Sequence, residues 1–294
     1  MNTNTAAKWQ LIGSMLIFST IGLFSRWIPL PTGVVAMLRG AIGALFLLLT
    51  VFLQRKKPDL AAIRRRWPLL LASGAAIGFN WILLFESYRH TTIATATLCY
   101  YCAPIFVVLA SPLIVREKLT LRRLLCVGVA LIGMLGVSGV LDNGVPSADE
   151  LAGILFGLGA ALLYATVMLL NKYITGLTAE DKTISQLGTA AVVLLPYCLL
   201  TGSFSAWPPL SLSAVLALLT MGILHTGVAY RLYFGGMTGQ KAQTIAIFSY
   251  IDPAVAILLS ALVLSEPMTP FAAVGAVLIL AAALISELPE KSKT

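Results

Sequence analysis

Ten apolar runs follow one another along this chain, each about the length that crosses a bilayer, roughly 17–25 residues. They cover Trp9–Ile28, Gly33–Leu53, Pro68–Tyr88, Thr92–Val115, Leu121–Leu141, Glu150–Lys172, Thr183–Ser203, Leu210–Gly235, Lys241–Leu264 and Pro270–Glu287. No other feature limits the fold so strongly. Hydrocarbon offers no hydrogen bonds, so each run must satisfy its own backbone, and a helix does that within one segment. Charged residues make up 11% of the 294 positions, far below the ~25% of soluble domains. The predicted fold is an all-α integral membrane protein with ten transmembrane helices. The longest connection, Gln54–Trp67, leaves no room for a soluble domain.

A net charge of +8 would point to nucleic acid in a soluble chain. Here the basic residues sit in short connections, so the expected partner is the lipid bilayer and not nucleic acid. With the N-terminus inside, 16 of the 20 Lys and Arg fall on the cytoplasmic side, including Arg55–Lys57, Arg64–Arg66, Arg116, Lys118, Arg122 and Arg123. That bias is the one that orients membrane helices. Both termini are therefore predicted to be cytoplasmic in a multi-pass plasma (bacterial inner) membrane protein, with residues 288–294 as a cytoplasmic tail. Arg39 lies deep in the second span and is expected to find an acid within the first bundle. Cys99 and Cys102 have C-x-x-C spacing, but no further Cys or His stands near them in the sequence, so no metal site and no cofactor is expected. No cleavable signal peptide is expected either, because the first run has full spanning length.

The chain also repeats itself. "TATLCYYCAPIFVVLASPLIVREKLT" from Thr95 aligns without a gap to "TIAIFSYIDPAVAILLSALVLSEPMT" from Thr244. The alignment pairs Tyr101 with Tyr250, Pro104 with Pro253, Ser111 with Ser260 and Glu117 with Glu266. Earlier, "FSTIGLFSRW" at Phe18 matches "YATVMLLNKY" at Tyr164. Five helices per copy is an odd number, so the second copy, 150–287, enters the membrane upside down relative to the first, 9–141. Two inverted five-helix repeats with interrupted helices are an architecture of secondary transporters.

On these residues the sequence resembles the drug/metabolite transporter superfamily, and in particular proteins with two EamA domains. Its best marks are Pro104 with Glu117, and Asp252-Pro253 with Glu266. The resemblance implies ten helices, cytoplasmic termini, a central cavity lined mainly by helices 1, 3, 4, 6, 8 and 9, and movement of small metabolites without ATP. The chain has no G-x-x-x-x-G-K-[ST] loop that would bind a nucleotide.

Asp252 is the most conspicuous polar residue, since a carboxylate in mid-membrane costs roughly 2.5–3.5 kcal/mol on insertion scales. One reading makes it a helix cap: Asp is a good N-cap and Pro253 suits the first helical position, so the ninth helix would break near Ser249–Asp252 and restart at Pro253. Pro104 would mark the matching break. The other reading gives Asp252 a proton or a substrate charge. Glu86, in "GFNWILLFESYRHTT", either pairs with Arg89 at the outer surface or serves as a cavity carboxylate. Asn80 and Ser87 share a helical face. His225 is either a helix–helix hydrogen bonder or a proton relay. Asn80, Trp81, Glu86, Tyr101, Tyr164, Tyr230, Gln243 and Tyr250 are the cavity candidates, and Glu86, His225 and Asp252 are the candidates for proton coupling.

Aromatic faces combined with carboxylates suit a cationic solute. The expected function is therefore secondary transport of a small organic metabolite, an amino acid or an amine, by a monomer or homodimer, with a proton as the candidate coupling ion. An intramembrane enzyme is disfavoured by the absence of metal-ligand motifs and of any sizeable loop. A scaffold or sensor would not need an inverted repeat.

Overall fold

The computed structural model describes residues 3–25, 27–91, 93–138, 148–205, 208–264 and 270–286. Among these the chain is helical, with no strand. Six helices are long and apolar enough to cross a membrane: Asn4–Ser25, Thr32–Leu53, Leu60–His90, Asp149–Asn171, Ala179–Leu200 and Leu212–Gly236. The first of these comprises α1 (Thr3–Ser19) and α2 (Ile21–Ser25), and it is followed by α3 (Thr32–Leu53) and α4 (Leu60–His90). The fourth run is divided into α5 (Ile93–Tyr100) and α6 (Ala103–Ile114), and α7 is Leu121–Ser138. Next come α8 (Ala148–Asn171), α9 (Ala179–Leu200), and a rod made of α10 (Leu212–Thr220), a π-helical turn (Met221–Val228) and α11 (Ala229–Gly236). The ninth run is divided into α12 (Ala242–Phe248) and α13 (Ile251–Leu264), and α14 is Pro270–Ser286.

Large apolar side chains such as Leu45, Leu113, Leu162, Val192, Leu262 and Val277 stand exposed on the outside. In water such a surface would be a liability, but it suits contact with lipid. The inner contacts use small residues, because apolar side chains gain nothing by leaving lipid and helices associate by close packing instead. A Cβ at Gly136 of α7 would come within 2.6 Å of the Phe271 carbonyl oxygen on α14. A Cβ at Gly43 of α3 would come within 2.9 Å of both Gly222 O and Gly227 N in the π-helical turn. The two backbones can therefore touch only because residue 43 has no side chain.

Several sequence expectations need correction. The Gln54–Trp67 connection is largely helix: α4 begins at Leu60, with the Asp59 side chain capping it by accepting from Ala62 N. The eighth run is not a plain α-helix, since the π-helical turn adds a widened segment in its middle. Asp252 is not at the cap position of α13. Ser249 N and Tyr250 N bond back to carbonyls of α12, and the Tyr250 carbonyl already accepts from Ala254 N, so α13 starts ahead of Pro253 and Asp252 falls in its first turn. Arg26, Leu141, Asn143, Glu266, Glu287 and the tail 288–294 lie outside the described residues.

Candidate functional site

A cavity of about 380 Å³ lies among α1–α5, α8, the π-helical turn and α11–α13. The break between α5 and α6 brings Tyr100 and Tyr101 to its wall, and the break between α12 and α13 brings Ser249 and Asp252. A continuous helix would carry these residues past the cavity in a single stripe. Each interruption instead re-aims the residues next to it.

Aromatic rings are prominent in the lining. Tyr100 stacks on Tyr164 with centroids 5.4 Å apart and planes 7° from parallel. The hydroxyls of Tyr164 and Tyr233 are 2.9 Å apart, and Tyr230 meets Phe18 edge-on at 5.1 Å. Asp252, the acid of the lining, accepts a hydrogen bond of 3.0 Å from the Tyr101 hydroxyl. Arg39 is the cation of the lining, and its guanidinium lies 4.4 Å from the centroid of the Trp81 ring. The acid expected for Arg39 is not found: no carboxylate among the described residues forms an ion pair with it, and its buried Nε makes no hydrogen bond.

Of the sequence candidates, Trp81, Tyr101, Tyr164, His225, Tyr230 and Asp252 line the cavity. His225 is held at both nitrogens, with Nε2 2.8 Å from the Thr20 hydroxyl and Nδ1 3.3 Å from the Thr220 carbonyl. The Thr20 hydroxyl also donates to the Ile17 carbonyl at 2.7 Å, so it joins the ring to the backbone of α1. Four candidates stand elsewhere. Asn80 donates to Ala160 O at 2.6 Å and Ser87 to Gly153 O at 2.7 Å, so their shared face fastens α4 to α8. Gln243 donates to the Ser111 hydroxyl at 2.6 Å and accepts from Arg123 at 2.7 Å. Tyr250 is fully buried, and its hydroxyl has no hydrogen-bond partner among the described residues.

Glu86 is the fourth. It accepts from the Tyr197 hydroxyl at 2.7 Å and from Arg89 at 3.2 Å, outside the cavity lining. Glu86→Gln should accordingly change stability by no more than about 1 kcal/mol, as partly exposed pairs do. It should also leave solute uptake by reconstituted protein at the wild-type level. A loss of uptake at normal expression would return Glu86 to the site.

The cavity reaches Ile28, Leu30 and Thr32 between α2 and α3. Away from the lining, polar contacts tie the ends of α6, α8 and α12 together. Glu117, after α6, accepts from Ala242 N at 2.7 Å and from Gln243 N at 3.3 Å, and Lys172 lies 3.8 Å from its carboxylate. Lys172 also donates to the Gln240 carbonyl, and the Tyr173 hydroxyl donates to the Ile114 carbonyl. Arg231 pairs with Glu180 at 2.6 Å. Sequence reasoning missed Phe18, Tyr88 and Arg39 as lining residues. For Arg39 a signal was present, since it is a basic residue deep in a span with no acid at helical spacing around it.

Helices long enough to span a bilayer, packed around a cavity rich in aromatic rings that holds one acid and one cation, define a polytopic membrane protein with an interior solute-sized site. Comparison with known proteins agrees. The EamA-like transporter family matches residues 7–139 and again 151–288, and the chain belongs to that family. An uncharacterized transporter of Bacillus subtilis, YxxF, is 32% identical over 87% of this chain and 81% of its own. An uncharacterized transporter of Archaeoglobus fulgidus is 28% identical over 94% of both chains. A protein known from its crystal structure shares the fold with a TM-score of 0.84 over 97% of both chains, at 20% identity.

Proposed function

We propose that the protein is a secondary transporter, moving a small organic metabolite of the amino acid or amine class across the bacterial inner membrane by alternating access. The observation that carries this reading is the interior cavity lined by aromatic rings together with Asp252 and Arg39; its α2–α3 end is read as the outer mouth, and the Glu117–Lys172 contacts as the cytoplasmic closure. In this reading the structure is the outward-facing state, and breaking those contacts exposes the same rings to the cytoplasm. The two five-helix halves, 9–141 and 150–287, would be the inverted repeats of a ten-helix transporter. Support comes from the placement of the helix breaks: α5 and α12 end at Tyr100 and Phe248, and α6 and α13 start at Ala103 and Ile251, so both pairs of positions fall within one residue of the sequence repeat. Asp252 would receive the positive charge of the solute or a coupled proton.

Uptake of labelled amino acids and amines by proteoliposomes without ATP tests the reading. Accumulation above protein-free vesicles is the expected result. A chemically altered product without net movement would make the protein an enzyme, and no flux for any solute would leave a scaffold or sensor. Orientation is tested separately. A cysteine at Lys57 should stay unmodified by an impermeant thiol reagent added to intact cells, because the basic connections are assigned to the cytoplasm. A cysteine at Asn143 should react. Modification at Lys57 from outside would invert the topology.

A further inference from the structure

Arg39 is the one group in the cavity whose chemistry the fold leaves unanswered. It rises from the middle of α3 and lies 4.4 Å over Trp81, its Nε is buried without a hydrogen-bond partner, and no carboxylate among the described residues pairs with it. Asp252, on α13 across the bundle, is bonded by Tyr101 and does not pair with Arg39. A cation kept in a membrane interior normally has a counter-charge, because an uncompensated one is costly. An aromatic face compensates only part of that cost. The guanidinium fork is also the side chain whose planar donors match a carboxylate with two parallel hydrogen bonds.

We propose that Arg39, steadied on Trp81, is the anchor for a carboxylate carried by the transported solute. The inference rests on the transporter reading and narrows it: of the two solute classes left open above, the one with a carboxylate is selected, and a bare amine is not. The carboxylate sits on the α3 wall. The body of the solute lies among Tyr88, Tyr100 and Tyr230, and any cationic group reaches toward Asp252. Trp81 keeps the fork in the cavity and out of reach of the other helices, so the site is preorganised for the anion instead of folding around an internal salt bridge.

Matched acid and amide probes isolate the anchor. Purified protein in detergent is titrated with phenylalanine against phenylalaninamide, and with 3-phenylpropionate against 3-phenylpropanamide, with binding followed by thermal shift and by tryptophan fluorescence. Wild-type protein should prefer each acid over its amide by at least about tenfold, as expected for a charge-assisted pair. Arg39→Gln should erase that preference, and Arg39→Lys should keep part of it. Equal binding of acid and amide by wild-type protein, an undiminished acid preference in Arg39→Gln, or no binding of either acid would overturn the proposal. Exchange of an amine but of neither acid in proteoliposomes would also overturn it while leaving the transporter reading intact. Absence of flux for every solute would count against the transporter reading itself.

Discussion

Asp252→Asn should leave the protein folded and inserted while lowering solute flux by roughly 10–100-fold, the size expected when a hydrogen bond to a charged group is lost. The residue lines the cavity and accepts from the Tyr101 hydroxyl at 3.0 Å. An asparagine carbonyl can accept the same bond. What disappears is the charge. Asp252→Leu should lose folding as well, because the Tyr101 hydroxyl would be left without its acceptor. The two variants separate the readings open at the level of sequence. A capping role predicts normal flux in Asp252→Asn, and a charge role predicts normal melting with little flux. Wild-type flux in Asp252→Asn would remove the carboxylate from the transport step.

Glu117→Ala is expected to have the largest effect on conformation. Both carboxylate oxygens accept backbone N–H groups at the start of α12, from Ala242 and Gln243, and Lys172 lies 3.8 Å away. Removing the carboxylate strips two donors of their acceptor and leaves Lys172 with only the Gln240 carbonyl. The cost is about 1–3 kcal/mol. In the alternating-access account this cost falls on the outward-facing state, so the balance shifts by about 5–150-fold toward the inward-facing one. A cysteine at Tyr164, in the cavity lining, should then react faster from the cytoplasmic side of inside-out vesicles and more slowly from the outer side. Unchanged reactivity from both sides would mean that these contacts only fasten α12 to its neighbours.

The sequence carried the elements well and their faces less well. Run length and apolarity are local properties, and they located the helical segments, including those that the Pro104 and Pro253 neighbourhoods interrupt. The aromatic set was legible for a related reason: Tyr230 and Tyr233 lie on one stripe of the rod, and both line the cavity. Helical phase does not say what a stripe packs against. Asn80 and Ser87 share a face as expected, but that face meets the backbone of α8. Gln243 is drawn to Ser111 and Arg123, 132 and 120 residues away in the chain. The π-helical turn had no local signature; it lies where Gly43 lets α3 approach Gly222 and Gly227. Glu117 stands at the end of a span in the sequence, but the helix start it bonds belongs to the other half of the chain.

The most direct measurement of the central claim is counterflow. Proteoliposomes of the purified protein are loaded with a high concentration of unlabelled solute, diluted into a trace of the labelled form, and followed over time without ATP or an ion gradient. A carrier whose one cavity faces the two sides in turn exchanges inner for outer solute, so the label should rise transiently above its equilibrium level and then decay. Asp252→Asn protein should show little of that overshoot. Label that only climbs to equilibrium would contradict alternating access and indicate a passive pore, and label that never enters would contradict transport of that solute altogether.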